Sequence, residues 1–294
     1  MKDIKILVEK ISLSFQNKVR SSFSSRLKSF YLVGSYAFGK ISEQRPDINF
    51  LLIFDKFVTP QDFLTLGKIC RSLEKEFSKA VTIKIEFRPF RYIKPKYKNE
   101  FEVSVNPILV GTGEIQEMGG VLFNKWFTEG LRSVNKLLFG SDFLETLKIA
   151  EITKEDVVKG AMFDLMFFTM PTSRAPAQYW DDESNLLLNE SLENAKNIAY
   201  LGIVAVMNME ELKKKSYVDY IKNKERIFGL YKERYVDEAA GMIKRIFQIR
   251  EQYLKFKNNP GVAEEVFAIA LNLASVVRSK VFEEVRPGNY GKTS

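Results

Sequence analysis

The spacing of apolar positions changes several times along the first 140 residues. Intervals of three and four predict an amphipathic helix over roughly residues 3–27. Two short apolar runs follow, FYLV and DINFLLIF, and each predicts a buried strand. The strict alternation in VTIKIEF predicts a third strand, whose polar face carries Thr82, Lys84 and Glu86.

A helix start lies between the second and third predicted strands. Thr59 is a good capping residue, Pro60 occupies the first helical position, and Asp62 stands three residues after the cap. The pattern predicts a helix that ends near residue 80. Beyond the third strand the periodicity is weak, and VSVNPILVG is the best strand candidate there.

Helical spacing dominates the rest of the chain. It predicts helices over residues 155–170, 191–209, 216–230, 236–257 and 262–284. Thr153 and Asp156 predict a capping box at the first of these. The segment PTSRAPAQYWDD is rich in Pro, Ser and Ala, and we interpret it as a mobile loop. We therefore predict an α+β protein, with a mixed-sheet domain over residues 1–140 and a helical bundle over residues 141–294.

The composition limits the chemistry that the chain can perform. Its 294 residues include no histidine and a single cysteine, Cys70. This excludes histidine-based catalytic triads, Cys–His zinc sites and an intramolecular disulfide. Cys70 lies on the apolar face of the predicted helix, so we interpret it as a core residue. No run of about 18 uninterrupted apolar residues and no signal-peptide pattern occur, which favours a cytoplasmic protein without a membrane span.

The net charge of +8 is compatible with a polyanionic ligand, but excess charge also serves solubility. The segment FRPFRYIKPKYK interleaves basic and aromatic residues, a composition that can hold phosphates and stack bases. The same composition is typical of a solvated loop. Nucleic acid is therefore a compatible partner that the sequence alone does not establish.

The candidate chemistry lies around the first three strands. Gly34 and Ser35 follow the first strand, where a glycine lets a phosphate oxygen approach the backbone and a helix start would aim N–H groups at it. Asp47 and Asn49 are two residues apart on the second strand, so their side chains share a face. Glu86 can join them if its strand is a neighbour. Oxygen clusters of this kind bind Mg²⁺.

In this order, these residues resemble the polymerase-beta-like nucleotidyltransferase superfamily, which includes aminoglycoside nucleotidyltransferases. The matching segments are VGSYAFGK, PDINFLLIF and IKIEF, and the resemblance covers roughly residues 30–87. The family motif places Asp or Glu where this chain has Asn49. The resemblance implies a nucleotidyltransferase fold that continues into a helical bundle.

The resemblance also implies a function. It implies transfer of a nucleotidyl group from a nucleoside triphosphate to a hydroxyl-bearing acceptor, with Mg²⁺ or Mn²⁺ as cofactor. The implied nucleotide-binding residues are Gly34, Ser35 and Lys40. The implied metal ligands are Asp47, Asn49 and Glu86, of which Asp47 and Glu86 are the catalytic residues.

Other interpretations remain open at this stage. Asn49 favours a non-catalytic descendant of the fold that binds nucleotide, RNA or a protein partner. Gly34 and Ser35 are also compatible with an ordinary turn, and Glu86 with the solvated face of an edge strand. The aromatic and acidic residues 179–182 fit either the lining of a cleft or a loop anchored on the bundle.

Overall fold

The computed structural model describes residues 2–86, 95–117, 125–179, 184–214, 219–220 and 223–285. The chain divides into two compact units, Met1–Ala150 and Glu151–Ser294. The first unit holds a five-stranded sheet with flanking helices, and the second is helical wherever it has regular structure. This architecture confirms the predicted α+β class.

The first unit is built from ten helices and strands within its described residues. They are α1 (Lys2–Phe23), β1 (Leu27–Val33), β2 (Asp47–Phe54), α2 (Pro60–Glu76), β3 (Thr82–Ile85), β4 (Glu102–Gly111), α3 (Thr112–Glu117), α4 (Lys125–Ser133), β5 (Asn135–Gly140) and α5 (Phe143–Thr146). The sheet order is β3-β4-β2-β1-β5. Strands β2, β3 and β4 run parallel, whereas β1 is antiparallel to both of its neighbours.

The two faces of the sheet are covered differently. One face, here called the first face, packs its phenylalanines against α1 and α2, and the rings of Phe15 and Phe50 stack at 4.6 Å. On the opposite, second face, Tyr31, Leu51 and Ile53 form an apolar cluster with residues of α3, α4 and α5. The apolar cluster covers the carboxyl-terminal half of β2, and polar side chains occupy the amino-terminal half of the second face.

Several predicted elements are confirmed in the first unit. Thr59 and Asp62 form the capping box of α2, with Pro60 at its first position. The helix ends at Glu76, four residues earlier than predicted, and Cys70 is buried in the core. Strand β4 contains the whole of VSVNPILVG and begins one residue before it, at Glu102. Strand β5 was not predicted, because its side chains are mostly exposed or half-buried and show no clear alternation.

The second unit contains α6 (Lys154–Tyr179), α7 (Ser184–Ala205), α8 (Met209–Lys213), α9 (Lys224–Arg234), α10 (Asp237–Glu251), α11 (Tyr253–Phe256) and α12 (Pro260–Val285). The predicted capping box is present, since Asp156 donates its N–H to Thr153 Oγ1 and accepts the N–H of Thr153. Helix α7 is buried almost all round and is the central helix of this unit.

The predicted mobile loop at PTSRAPAQY is wrong, because α6 continues through Pro171 and Pro176 to Tyr179. Proline removes one backbone donor and disfavours a helix interior. Hydroxyls of Thr169 and Thr172 donate to the carbonyls of Leu165 and Phe168, a type of bond that often accompanies a bend in a helix. The remaining residues of that prediction, 180–182, lie outside the described part of the chain, as do the side chains at 178 and 179.

Helix α12 is the one described helix whose length and composition would suffice to cross a membrane, over Pro260–Glu283. In the structure it packs against α6 and α7, and its Val266, Ala270 and Leu273 are fully buried. Central helices of soluble bundles have the same composition.

Candidate functional site

The polar half of the second face is built by neighbouring positions on β2 and β4. Asp47 is the first residue of β2, and its partner in the parallel register is Ser104. Two residues further along, Asn49 pairs with Asn106. Paired residues on neighbouring strands point to the same side of the sheet. The four side chains therefore form one polar cluster beside the apolar cluster of Leu51.

Two amides bind the carboxylate in this cluster. Asn49 Nδ2 donates to Asp47 Oδ2 at 3.0 Å, and Asn106 Nδ2 donates to Asp47 Oδ1. Asn106 Nδ2 also donates to Asn49 Oδ1 at 3.0 Å. An ionised carboxylate only accepts hydrogen bonds, so both amides must turn their NH₂ groups towards Asp47. The charge of Asp47 is thus met entirely by neutral donors within this network.

The network leaves one polar atom without a partner. Asn106 is 2% exposed, and its Oδ1 atom is a buried acceptor that makes no hydrogen bond within the described part of the chain. A buried acceptor without a donor costs roughly 1–3 kcal/mol. A ligand or water that donates a hydrogen bond there would remove this cost.

Asn106 was missed by the sequence-based site prediction. VSVNPILVG predicted a strand, but nothing in one sequence shows that this strand lies between β2 and β3. The asparagine inside an otherwise apolar run was the available signal, because a buried amide needs partners.

Gly34 lies against Asn49. It follows β1 with φ of 77°, and a Cβ built on it would stand 3.2 Å from Asn49 Nδ2. Glycine adopts this backbone conformation freely, whereas other residues are strained by it. The turn after β1 is therefore fitted closely to the amide network.

Ser35 and Lys40 belong to the turn that begins at Gly34. Instead of the expected helix, a single 3-10 turn spans Ser35–Phe38, and Lys40 closes it by donating its N–H to Ser35 O at 3.1 Å. Both side chains belong to exposed residues. The turn is too short to have the dipole of a full helix, so any phosphate contact here would rest on individual N–H groups.

Glu86 was expected to join Asp47 only if their strands were neighbours, and in the structure these strands are not neighbours. It directly follows β3 and donates its N–H to Val105 O at 3.1 Å. Because β4 separates β3 from β2, Asn106 stands between Glu86 and Asn49 in the same row of the sheet. Two strand spacings amount to about 10 Å between the backbones of Glu86 and Asn49.

A buried lysine lies beside this row. Lys84, on β3, is 2% exposed and forms an ion pair with Glu102 at the start of β4. Burial lowers the pKa of Lys84 to about 8, although the charges of Glu102 and Glu86 act in the opposite direction. The nearby Arg45, itself 7% exposed, lowers that pKa further. The predicted solvated face of β3 is therefore a buried charged cluster.

The donor set fits Mg²⁺ poorly. Among the described residues, no three Asp, Glu, His or Cys side chains come together in a way that could hold a metal ion. The amide network contains a single carboxylate, Asp47, and both of its oxygens already accept amide N–H groups. Amide donors pointing at a carboxylate repel a cation that would take their place.

Similarity to known proteins is found among solved structures. No protein-family model and no curated protein matches the chain. Among solved structures, a match is the crystal structure of spectinomycin adenyltransferase AAD(9) from Enterococcus faecialis with ATP and spectinomycin. The sequence identity is 16%, the match covers 92% of this chain and 99% of that chain, and the TM-score is 0.46. We draw no correspondence between individual residues from it.

The close fit between Gly34 and Asn49 gives a testable prediction. Gly34→Ala should destabilise the protein by more than Gly39→Ala, as measured by urea unfolding. The backbone strain also differs, because Gly34 (φ 77°, ψ −161°) lies in a region that essentially only glycine adopts, at about 1–3 kcal/mol for another residue, whereas Gly39 (φ 71°, ψ 10°) is left-handed helical, at about 1–2 kcal/mol. Only the new Cβ at Gly34 also crowds a side chain, because nothing lies within 4 Å of a Cβ at Gly39. Equal losses would show that the Asn49 contact is unimportant.

The buried lysine predicts a pH dependence. The pKa of Lys84 is about 8 in the folded protein, against an ordinary value of 10.5. Between these values the unfolded chain binds more protons, so stability should rise with pH. We expect the unfolding free energy of the wild type, relative to Lys84→Met, to increase between about pH 8 and pH 10.5. Urea titrations across that range measure it, and a constant difference would contradict the prediction.

Proposed function

We propose that this chain is a nucleotidyltransferase-like protein that binds a nucleoside triphosphate at the polar half of the second face without transferring the nucleotidyl group. The observation that carries the proposal is the pairing of Asp47 with the amides of Asn49 and Asn106. Mg²⁺-dependent transfer needs carboxylates that neutralise the metal while the metal holds the phosphates. In this chain the side chains that contact Asp47 are the amides of Asn49 and Asn106, and not further carboxylates.

The electrostatics of an acid-rich centre explain why the amides matter. Neighbouring carboxylates repel one another until a cation joins them, so such a centre is incomplete without its metal. In this chain, Asn49 and Asn106 supply the hydrogen bonds that Asp47 needs. The hydrogen-bonding capacity of Asp47 is therefore met without a cation, although the cluster keeps the negative charge of this carboxylate.

The triphosphate is the ligand that the surrounding features favour. The motif around Gly34 and Ser35 resembles the phosphate-holding turn of the nucleotidyltransferases, and the turn directly adjoins the amide network. The charge is also one-sided. Met1–Ala150 contains 24 basic and 16 acidic residues, a net +8, whereas Glu151–Ser294 contains 21 of each. The entire excess of positive charge thus belongs to the unit that contains the site, which favours an anionic ligand.

A second candidate is metal-dependent transfer to a hydroxyl acceptor, with Asp47 and Glu86 as the acids. Glu86 favours it, because its row places a second carboxylate on the same face of the sheet. Asn106 argues against it, because this residue lies between the two acids.

Calorimetry and a transfer assay distinguish the two candidates. We expect ATP to bind the wild-type protein equally well with Mg²⁺ and with a chelator, and we expect no transfer of label from α-labelled ATP to hydroxyl-bearing acceptors. Binding that requires Mg²⁺, together with transfer that is lost in Glu86→Gln, would establish the enzyme instead. Absence of ATP binding under both conditions would contradict both candidates.

The substitution Asn49→Asp should convert the network into a metal-dependent one. It removes the donor to Asp47 Oδ2 and sets two carboxylates side by side, so the melting temperature in chelator should fall by several degrees, as expected for about 1–2 kcal/mol. Mg²⁺ should restore it, since the two carboxylates bind the ion better than one. Melting curves with and without Mg²⁺ measure both effects.

Asn135→Asp is the matched control for that experiment. Asn135 lies on β5 and donates to the carbonyls of Leu131 and Arg132, so this variant also loses amide hydrogen bonds and gains a charge. Its destabilisation should not respond to Mg²⁺. If Mg²⁺ stabilises both variants alike, or neither, Asn49 does not occupy a metal position.

A further inference from the structure

We infer that the exposed face of α2 and the segment packed beside its end bind the phosphate backbone of a single-stranded nucleic acid. This surface, called the α2 surface below, consists of Lys68, Arg71, Lys75, Lys79 and Lys96. All five residues are exposed. Helix α2 covers the first face of the sheet, so the α2 surface lies on the opposite side of the sheet from the amide network. The inference does not depend on the proposed function.

Helical spacing aligns three of these residues. Lys68, Arg71 and Lys75 are three and four residues apart on α2, and Lys79 lies in the turn that follows the helix. Residues at such intervals lie on one side of a helix. With a rise of about 1.5 Å per residue, the helical part of the row extends over roughly 10 Å. It is long enough to follow several consecutive phosphates.

Of the three acidic residues of α2, Asp62 and Glu76 contact other parts of the unit, and Glu74 pairs with Arg71 of the row. Asp62 is 3% exposed and accepts hydrogen bonds from Arg26 and Thr59. Glu76 accepts from Ser14 and forms an ion pair with Lys18, both on α1. The acids of the helix therefore serve packing within the unit, and the basic side chains are left for solvent.

Glu74 ties the fifth basic residue to the row. It is 2% exposed, accepts a hydrogen bond from Arg71, and accepts the backbone N–H groups of Lys96 and Tyr97. Asn99 adds a hydrogen bond to the carbonyl of Ser78 at 2.9 Å. These contacts hold the segment around Lys96 next to the carboxyl-terminal half of α2.

The lysines of the row are not committed to other contacts. Lys68, Lys75 and Lys79 form no ion pair within the residues that the structure describes. Three such cations in a row repel one another, and a polyanion relieves that repulsion while it releases counterions.

An aromatic ring beside the row favours a single strand over a duplex. Lys96 Nζ lies 5.8 Å from the ring centroid of Tyr97, which is half-buried. Unstacked bases of a single strand stack on such rings, whereas a duplex offers mainly its phosphates. In the segment FRPFRYIKPKYK, the basic and aromatic residues at positions 87–94 lie outside the described part of the chain.

Fluorescence anisotropy with a labelled 20-nucleotide single-stranded RNA of mixed sequence tests the inference on the full chain. We expect binding by the wild type, and a plot of log affinity against log salt with a slope of about −3.5 for five phosphate contacts. The triple variant Lys68→Gln, Lys75→Gln, Lys79→Gln should bind about 100-fold more weakly at 0.1 M salt, with a slope shallower by about 2. Saturating ATP should not displace the RNA, because the amide network is on the other face.

A control of equal charge separates this surface from the general charge of the protein. Lys159, Lys232 and Lys244 are exposed residues of the second unit, and changing all three to Gln lowers the net charge by the same amount. This control should bind RNA like the wild type, and melting curves should show both triple variants folded. Equal losses in the two variants would overturn the inference. So would failure of the wild type to bind RNA at low salt, including the case in which it binds only phosphatidylserine vesicles.

Discussion

A carboxylate within a folded protein needs hydrogen-bond donors or cations around it, and the way Asp47 meets that need shapes its whole neighbourhood. Two amides supply the donors, so Asn49 and Asn106 must both present their NH₂ groups to Asp47. Asn106 consequently has a buried Oδ1 atom without a partner. Asn49 in turn lies beside the turn after β1, where a Cβ at Gly34 would come within 3.2 Å of Asn49 Nδ2. One charge thereby determines the orientation of two amides, one of which packs against that turn.

The sheet order decides which residues can share in that arrangement. Because β4 lies between β2 and β3, the nearest side chain beyond Asn49 is Asn106, and Glu86 is one strand further away. The polar face of β3 is buried even though β3 is an edge strand, and there the ion pair of Lys84 and Glu102 replaces solvent. Asp47 is hydrogen-bonded to two amides, and Glu102 is paired with Lys84, so both acids have partners within the sheet. A row of this kind suits recognition of a ligand better than retention of a divalent metal.

The sequence was sufficient for features that depend on local pattern. The capping box at Thr59, the burial of Cys70 and the alternation that places Asp47 and Asn49 on one face require only neighbouring residues. Strand order, by contrast, depends on contacts between distant segments, and no local pattern shows it. That is why the role of Asn106 went unrecognised. In helix α6 the local pattern itself gave the wrong prediction. Packing against two other helices outweighs the local preference of Pro171 and Pro176 to end a helix.

Helix α2 contains both acidic and basic residues, yet its solvent side is basic. Its acids face inward or towards α1, where they cap the helix, bind Arg26 and anchor the segment at Lys96. Asp62 and Glu74 are buried and Glu76 pairs with Lys18 on α1, so the basic residues of the same helix dominate its solvent side. The outer surface of α2 is therefore basic because internal hydrogen bonds occupy the acidic residues of the same helix. On the second face, by contrast, Asp47 and Glu102 both have hydrogen-bond or ion-pair partners within the sheet. Strong attraction for a polyanion is accordingly expected on the first face, and selective recognition of a small ligand on the second.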